Sequence, residues 1–203
     1  MPFFESSLAV LALWAVIGYL LGSIPFGLVL TKALGLGNLR EIGSGNIGAT
    51  NVLRTGSKST AAATLILDGA KGAVAVLAAR ALAGEDAAQL AALMAFLGHC
   101  FPIWIGFKGG KGVATFLGLM LALAWPVGLL SCATWLAAAA ISRISSLSAL
   151  VAAAWALLWC IVLGQGQIFV LTVLLVVLII WRHKDNIRRL KAGTEPRIGG
   201  SKA

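Results

Sequence analysis

Three short polar segments in an otherwise apolar chain carry the side chains that chemistry could use. The first reads Gly43-Ser44-Gly45-Asn46-Ile47-Gly48-Ala49-Thr50-Asn51 and is followed by Arg54. Glycine and asparagine tolerate positive φ, and successive amides in such turns form concave anion sites. Ser44, Thr50 and Asn51 add side-chain donors, and Arg54 can grip a phosphate through two parallel bonds. The second is Phe107-Lys108-Gly109-Gly110-Lys111-Gly112-Val113-Ala114-Thr115. Its glycines let backbone approach an anion, its two lysines supply charge, and the helix expected just after offers its positive end. The spacing is not that of a Walker A loop, because Gly112 stands where Ser or Thr would be needed. The third begins His183-Lys184-Asp185-Asn186 and reaches Gly193 and Glu195. If the preceding helix continues, His183 and Asn186 share a face.

Binding of two or more phosphate anions is the chemistry these residue types suggest. Lys184, Arg188 and Lys191 read as solvated anchoring charges, and Glu195 as a structural ion-pair partner for one of the many arginines. Arg143 with Ser145, Ser146 and Ser148 makes a further polar corner that could add donors. Within the apolar runs, Asp68 and Lys71 lie three apart on one helix and could pair. Intramembrane charges raise a functional hypothesis, here matched by an equally good packing role. His99, just before Pro102, is placed to hydrogen-bond near the second segment. Cys100, Cys132 and Cys160 show neither metal-ligand spacing nor a disulfide framework and read as small packing residues.

The elements that must position these groups are membrane helices. Of 203 residues, 60% are hydrophobic and 11% charged, against roughly 25% charged in an ordinary soluble domain. So few charges cannot cover a soluble surface, and lipid must be the solvent for much of the chain. The net charge of +9 is concentrated: seven of the sixteen Lys and Arg lie between Arg182 and Lys202. Basic loops facing the cytoplasm explain this pattern, and contact with anionic lipid heads suits it too. Nucleic-acid binding is excluded by the lack of a soluble basic domain with interleaved aromatics.

Apolar runs span 6–31, 59–79, 87–107, 112–142 and 144–181, the last split by Gly164-Gln165-Gly166-Gln167. The first is too long for a signal-peptide core and is expected to be a retained helix. Pro25 should kink it, and Gly18 and Gly22 suit close helix contact. The 112–142 run decides the topology. Read as a hairpin turning at Trp125-Pro126, it puts all the basic loops on the same side as the tail. The expectation is an all-α polytopic bundle of about seven transmembrane helices, N-terminus outside and C-terminus cytoplasmic, with residues 1–203 forming a single domain. Segments 40–58, 105–115, 142–148 and 182–197 then share the cytoplasmic face. Each hairpin arm has only about 15 residues, or roughly 22 Å, so the 105–112 loop should sit sunken below the membrane surface.

Together the three segments, with Gly98-His99-x-Phe101-Pro102 before the second, resemble the bacterial membrane acyl-phosphate:glycerol-3-phosphate acyltransferases, the PlsY family. The resemblance runs nearly end to end. It implies transfer of a fatty acyl group from acyl phosphate to the sn-1 hydroxyl of glycerol 3-phosphate, giving lysophosphatidic acid and phosphate, the first step of phosphatidic acid and phospholipid synthesis. It places Ser44, Arg54, Lys111, His183 and Asn186 at catalytic positions. It places Gly43, Gly45, Asn46, Thr50, Asn51, Lys108, Gly109, Gly110 and Gly112 around the substrates, and leaves Glu195 structural. Arg143, Ser145 and Ser148 join the substrate-binding set as the corner expected to add donors. No cofactor or metal is implied. The partners implied are long-chain acyl phosphate, glycerol 3-phosphate, the lipid bilayer and, transiently, the soluble phosphate acyltransferase (PlsX) that makes the donor. The location implied is the bacterial cytoplasmic (inner) membrane.

Two rivals remain at this level. A transporter of phosphorylated solutes would want a midplane site between repeated halves, and only Asp68 and Lys71 speak for it. A CDP-alcohol phosphotransferase would want clustered aspartates, whereas Asp68, Asp86 and Asp185 lie far apart.

Overall fold

A computed structural model describes residues 5–199. The four residues at either end, with the expectation that Lys202 extends the basic tail and the first four residues of the outward N-terminus, lie outside the described part. All regular structure among the described residues is helical. The first apolar run forms α1 (Leu8–Gly22) and α2 (Phe26–Ala33), separated at the Ser23-Ile24-Pro25 break that the proline predicts. A short helix α3 (Ala49–Val52) and a 3₁₀ turn (Leu53–Thr55) lead into α4 (Lys58–Ala83), and α5 follows at Glu85–Cys100. A second 3₁₀ turn (Ile103–Ile105) precedes α6 (Val113–Leu123) and α7 (Trp125–Ser142). The order ends with α8 (Ser145–Val162), α9 (Gly166–Arg182) and α10 (Lys184–Lys191).

Helix α5 sits among α1, α4, α6 and α9. Small residues allow this: Ala87, Ala88, Ala91, Ala92 and Ala95 of α5 are completely buried. Gly18 and Gly22 of α1 lie directly on the backbone at Ala91 and Ala95, where any Cβ would collide with it. Backbones in such contact gain dispersion energy that lipid tails cannot match. The outer surface is the reverse of a soluble protein's, with Leu8, Leu82 and Ile141 exposed by 84%, 78% and 87%.

Five helical segments are long and apolar enough to cross a membrane: Leu8–Ala33, Lys58–Ala83, Glu85–Ile105, Trp125–Ser142 and Ser145–Val162. A sixth qualifies if Gly166–Arg182 and Lys184–Lys191, bent by 61°, are one span. The 112–142 run is a hairpin, turning at Ala124, but it does not divide evenly. The arms have 11 and 18 residues, not about 15 each. The turn falls there because Pro126 can open α7 but could not continue α6. Arg80 closes the short arm: its Nη1 and Nη2 donate to the Ala122 and Leu123 carbonyls at 2.6 and 3.2 Å, while its Nε holds Glu85 at 2.7 Å. These are carbonyls that a helix end leaves without an internal partner.

Candidate active site

Asn51 organises the first segment. Its Nδ2 lies 3.0 Å from the Leu39 and Ile42 carbonyls and 2.8 Å from that of Asn46. Its Oδ1 accepts from the Ser44 amide and from Arg54 Nη1, both at 3.2 Å. Asn51 is buried, and these bonds use its whole amide, so it shapes the loop and has no donor left for a substrate. Gly43 has φ of 56°, and a Cβ there would strike the Arg54 and Asn51 side chains. Gly45 is also left-handed, at 67°. Asn46 Oδ1 accepts the Ile47 amide. Ser44 and Arg54 are both exposed at the loop surface, with the Ser44 hydroxyl 3.5 Å from Asn51 Oδ1.

The second segment differs from expectation in how its glycines work. The Gly109 and Gly110 amides donate back to the Cys100 and His99 carbonyls, each at 3.1 Å. They are therefore not offered to an anion. Both glycines are buried against α5 because a Cβ at Gly109 would meet the His99 carbonyl and Pro102, and one at Gly110 the His99 ring. Gly112, at φ 81°, lies on the Phe96 ring and starts α6 without a side-chain cap. The Val113, Ala114 and Thr115 amides of that first turn find no acceptor among the described residues. Such orphan donors, with the helix dipole behind them, favour an anion. Lys111 stands beside them, half-buried, and Lys108 is exposed.

The third segment is not one continuous helix. It bends by 61° between α9 and α10 at His183. His183 is buried, its Nδ1 lies 2.8 Å from the Ile179 carbonyl, and Nε2 has no partner among the described residues. An Nδ1–H donor leaves Nε2 as an acceptor. Asn186, one turn on, bridges two segments: its Oδ1 accepts from Lys111 Nζ at 2.5 Å and its Nδ2 donates to Glu195 Oε1 at 2.5 Å. Glu195 also accepts from Ser146 Oγ at 2.6 Å and from Arg189 Nε at 2.7 Å.

Four segments thereby close into a ring. Lys111–Asn186 joins second to third, Glu195–Ser146 joins third to the corner, and Ser145–Thr50 joins the corner to the first at 2.9 Å. Arg40 completes the circuit by donating to the Lys108 carbonyl. Ser148 does not face this ring, since its hydroxyl returns to the Ile144 carbonyl of its own helix. Arg143 is exposed and holds residue Ile198 through its carbonyl at 2.6 Å. No hydrogen bond links Arg54 to the second or third segment among the described residues.

Burial sets the ionisation here. It pushes Lys111 down to about 8, an effect that Arg189 and Arg182 add to and Glu195 and Asp185 oppose. Burial likewise takes His183 down to about 4. For Glu195 burial pushes upward, but hydrogen bonds from Ser146, Asn186 and Arg189 outweigh it and hold the carboxyl low.

Below the ring, Lys71 Nζ lies 2.7 Å from Asp68 Oδ1, 2.7 Å from the Ile24 carbonyl and 3.0 Å from His99 Nδ1. The ammonium's three protons thus have three acceptors, one of them a carbonyl freed by the Pro25 break. This buried junction joins α1, α4 and α5, and through the His99 carbonyl it reaches Gly110. Two groups were missed from sequence, Arg182 and Arg40, because each resembles a generic basic-loop charge. Arg182 donates to the Gly110 and Gly109 carbonyls, both at 3.1 Å.

The family described as glycerol-3-phosphate acyltransferase matches residues 12–193. The glycerol-3-phosphate acyltransferase of Ruegeria sp. strain TM1040 is 70% identical over 199 residues, covering 98% of both chains. That of Ruegeria pomeroyi is 68% identical over 203 residues, covering 100% of both. Two crystal structures of PlsY (YgiH), an integral membrane glycerol 3-phosphate acyltransferase, are similar in fold. Its glycerol 3-phosphate form superposes with a TM-score of 0.88 at 40% identity, covering 93% of this chain and 96% of the other. Its lysophosphatidic acid form gives 0.85 at 37%, covering 93% and 95%.

Proposed function

The chain belongs to the glycerol-3-phosphate acyltransferase family, and on that premise we propose that its acyl donor is a long-chain acyl phosphate. It is an integral membrane enzyme that acylates glycerol 3-phosphate. The acyl group goes to the sn-1 hydroxyl, giving lysophosphatidic acid and inorganic phosphate. One observation carries the reading: Lys111 is fixed by Asn186 beside a helix start whose first three amides have no partner among the described residues.

Acyl phosphate is a mixed anhydride with a good leaving group, so the protein's task is to hold two anions, align a hydroxyl with a carbonyl carbon and stabilise developing charge. Lys108, Lys111 and the opening of α6 supply one set of anion donors. Ser44 and Arg54 supply another. The glycerol oxygen bonds to the acyl carbon, the bond from that carbon to the phosphate oxygen breaks, and the hydroxyl proton passes to the departing phosphate. His183, held near 4, is a weaker base than a phosphate dianion, whose conjugate acid ionises near 6. His183 Nε2 therefore orients the hydroxyl without keeping its proton. No covalent enzyme intermediate is needed.

The basic tail and loops favour a ring and a C-terminus on the cytoplasmic side of the bacterial inner membrane. There a soluble phosphate acyltransferase would hand over its product by transient contact. The test supplies purified enzyme with acyl phosphate and glycerol 3-phosphate, omits metal and coenzyme A, and assays lysophosphatidic acid. Product only when an acyl thioester replaces acyl phosphate would overturn the donor assignment.

A further inference from the structure

Every polar group of the Gly109 and Gly110 peptides is engaged, and half of those partners come from one side chain. The two amides bind the last carbonyls of α5, and the two carbonyls receive Arg182 Nη2 and Nε. Left bare, those carbonyls would add partial negative charge immediately before Lys111 in the chain, against the binding of an anion there. A planar guanidinium meets two successive carbonyls at once, which a lysine ammonium on a flexible stem cannot do with the same fixed geometry. Arg182 is itself held, with its guanidinium carbon 5.2 Å from the centre of the Phe101 ring, and Phe101 packs on Trp181 at 5.8 Å. It forms no salt bridge with a carboxylate among the described residues.

Arg182 also occupies a special place in the chain. It is the last residue of α9, immediately before the 61° bend, and Asn186 lies four residues further on. Arg182 and Asn186 therefore grasp the same turn at Gly109-Gly110 and at Lys111, from the two sides of the bend.

We propose that Arg182 is the positioning residue of the anion-binding turn, fixing the two glycine peptides so that Lys111 and the first turn of α6 address one phosphate. The proposal rests on the reading of this turn as a substrate-phosphate site. A plain anchoring charge at the membrane surface would tolerate lysine. A two-carbonyl clamp would not.

The experiment uses the full chain in lipid vesicles, as wild type, Arg182→Lys and Arg182→Gln, with Tm followed for each. Binding of glycerol 3-phosphate without any acyl donor is measured beside turnover. Arg182→Lys should weaken that binding and lower kcat/KM by about tenfold or more, the scale of a small misplacement of binding groups, with Tm little changed. The pH profile separates a positioning role from a structural one. Lys111 faces Glu195 and Asp185 on the acidic side and Arg189 and Arg182 on the basic side. Loss of charge in Arg182→Gln should move the alkaline limb of activity upward in pH, whereas Arg182→Lys should leave it in place. Wild-type binding and kcat/KM in Arg182→Lys overturn the proposal, as does a loss that merely follows a fall in Tm. Should Arg182→Lys not fold, the binding and pH shift of Arg182→Gln decide. Wild type that binds glycerol 3-phosphate but makes no product from acyl phosphate refutes the donor assignment alone. The binding arm still judges Arg182.

Discussion

Lys111 Nζ and Asn186 Oδ1 lie 2.5 Å apart although 75 positions separate them in sequence. The bond orients an ammonium that is free to swing on four methylenes, and Asn186 is oriented in turn by Glu195. A flexible cation is thus held in place by a chain of fixed groups, as electrostatic stabilisation of a transition state requires.

Lys111→Ala should lower kcat/KM for lysophosphatidic acid formation by about 100-fold, the scale of losing one transition-state donor. Asn186→Ala should cost less, about tenfold, since it frees the lysine without removing it. Adding Asn186→Ala to Lys111→Ala should then cost little more, because both remove one interaction. Additive losses in the double variant would show that Asn186 acts separately from Lys111.

In the proposed role Lys111 holds phosphate as a cation, and burial sets its ionisation at about 8. Activity should therefore hold through neutral pH and fall as pH rises through about 8. His183 ionises near 4 and stays neutral across that range, so it adds no step between pH 5 and 7. In Lys111→Arg the side chain keeps its charge throughout. The alkaline fall should vanish from whatever activity remains, as read from initial rates between pH 5.5 and 9.5.

Replacing His183 by Gln keeps a hydrogen-bonding group and removes basicity. Single-turnover rates should fall by no more than about tenfold. A chemical step abolished while substrate binding survives would make His183 the general base and refute proton transfer to the leaving phosphate.

Lys71→Met strips the counter-charge from buried Asp68 and should cost about 3–5 kcal/mol of stability. The pair Asp68→Leu with Lys71→Met should recover most of that loss, because an apolar pair needs no desolvation. Thermal unfolding in detergent measures both, and a double variant as unstable as Lys71→Met would mean that the Ile24 and His99 contacts matter more than the ion pair.

Much of the fold is written in hydrophobic run lengths and in a few punctuating residues. Pro25 marks the break between α1 and α2, Gly112 the start of α6, and Trp125-Pro126 the hairpin. The Asp68–Lys71 pair also follows from spacing and charge, whereas Glu195 reads only as a partner for some arginine, and the fold selects Arg189. The bend at His183 does not, because no proline or glycine stands there. Long-range contacts flank it instead: Arg182 reaches the glycine turn and Asn186 reaches Lys111. The inward use of the Gly109 and Gly110 amides was equally illegible. The same glycines suit a backbone near an anion and a backbone pressed on a helix end, and only the position of α5 decides between them.

Helix α6 has 11 residues, about 16 Å of rise against a hydrocarbon thickness of about 30 Å. The turn at its start therefore cannot stand level with the headgroups if its far end reaches the opposite surface. Raising a fatty chain into water costs about 0.8 kcal/mol for each methylene. With the proposed acyl phosphate donor, a recessed turn would bring cations down to the anhydride instead, so that the tail could stay dissolved in lipid while only its polar end reacts.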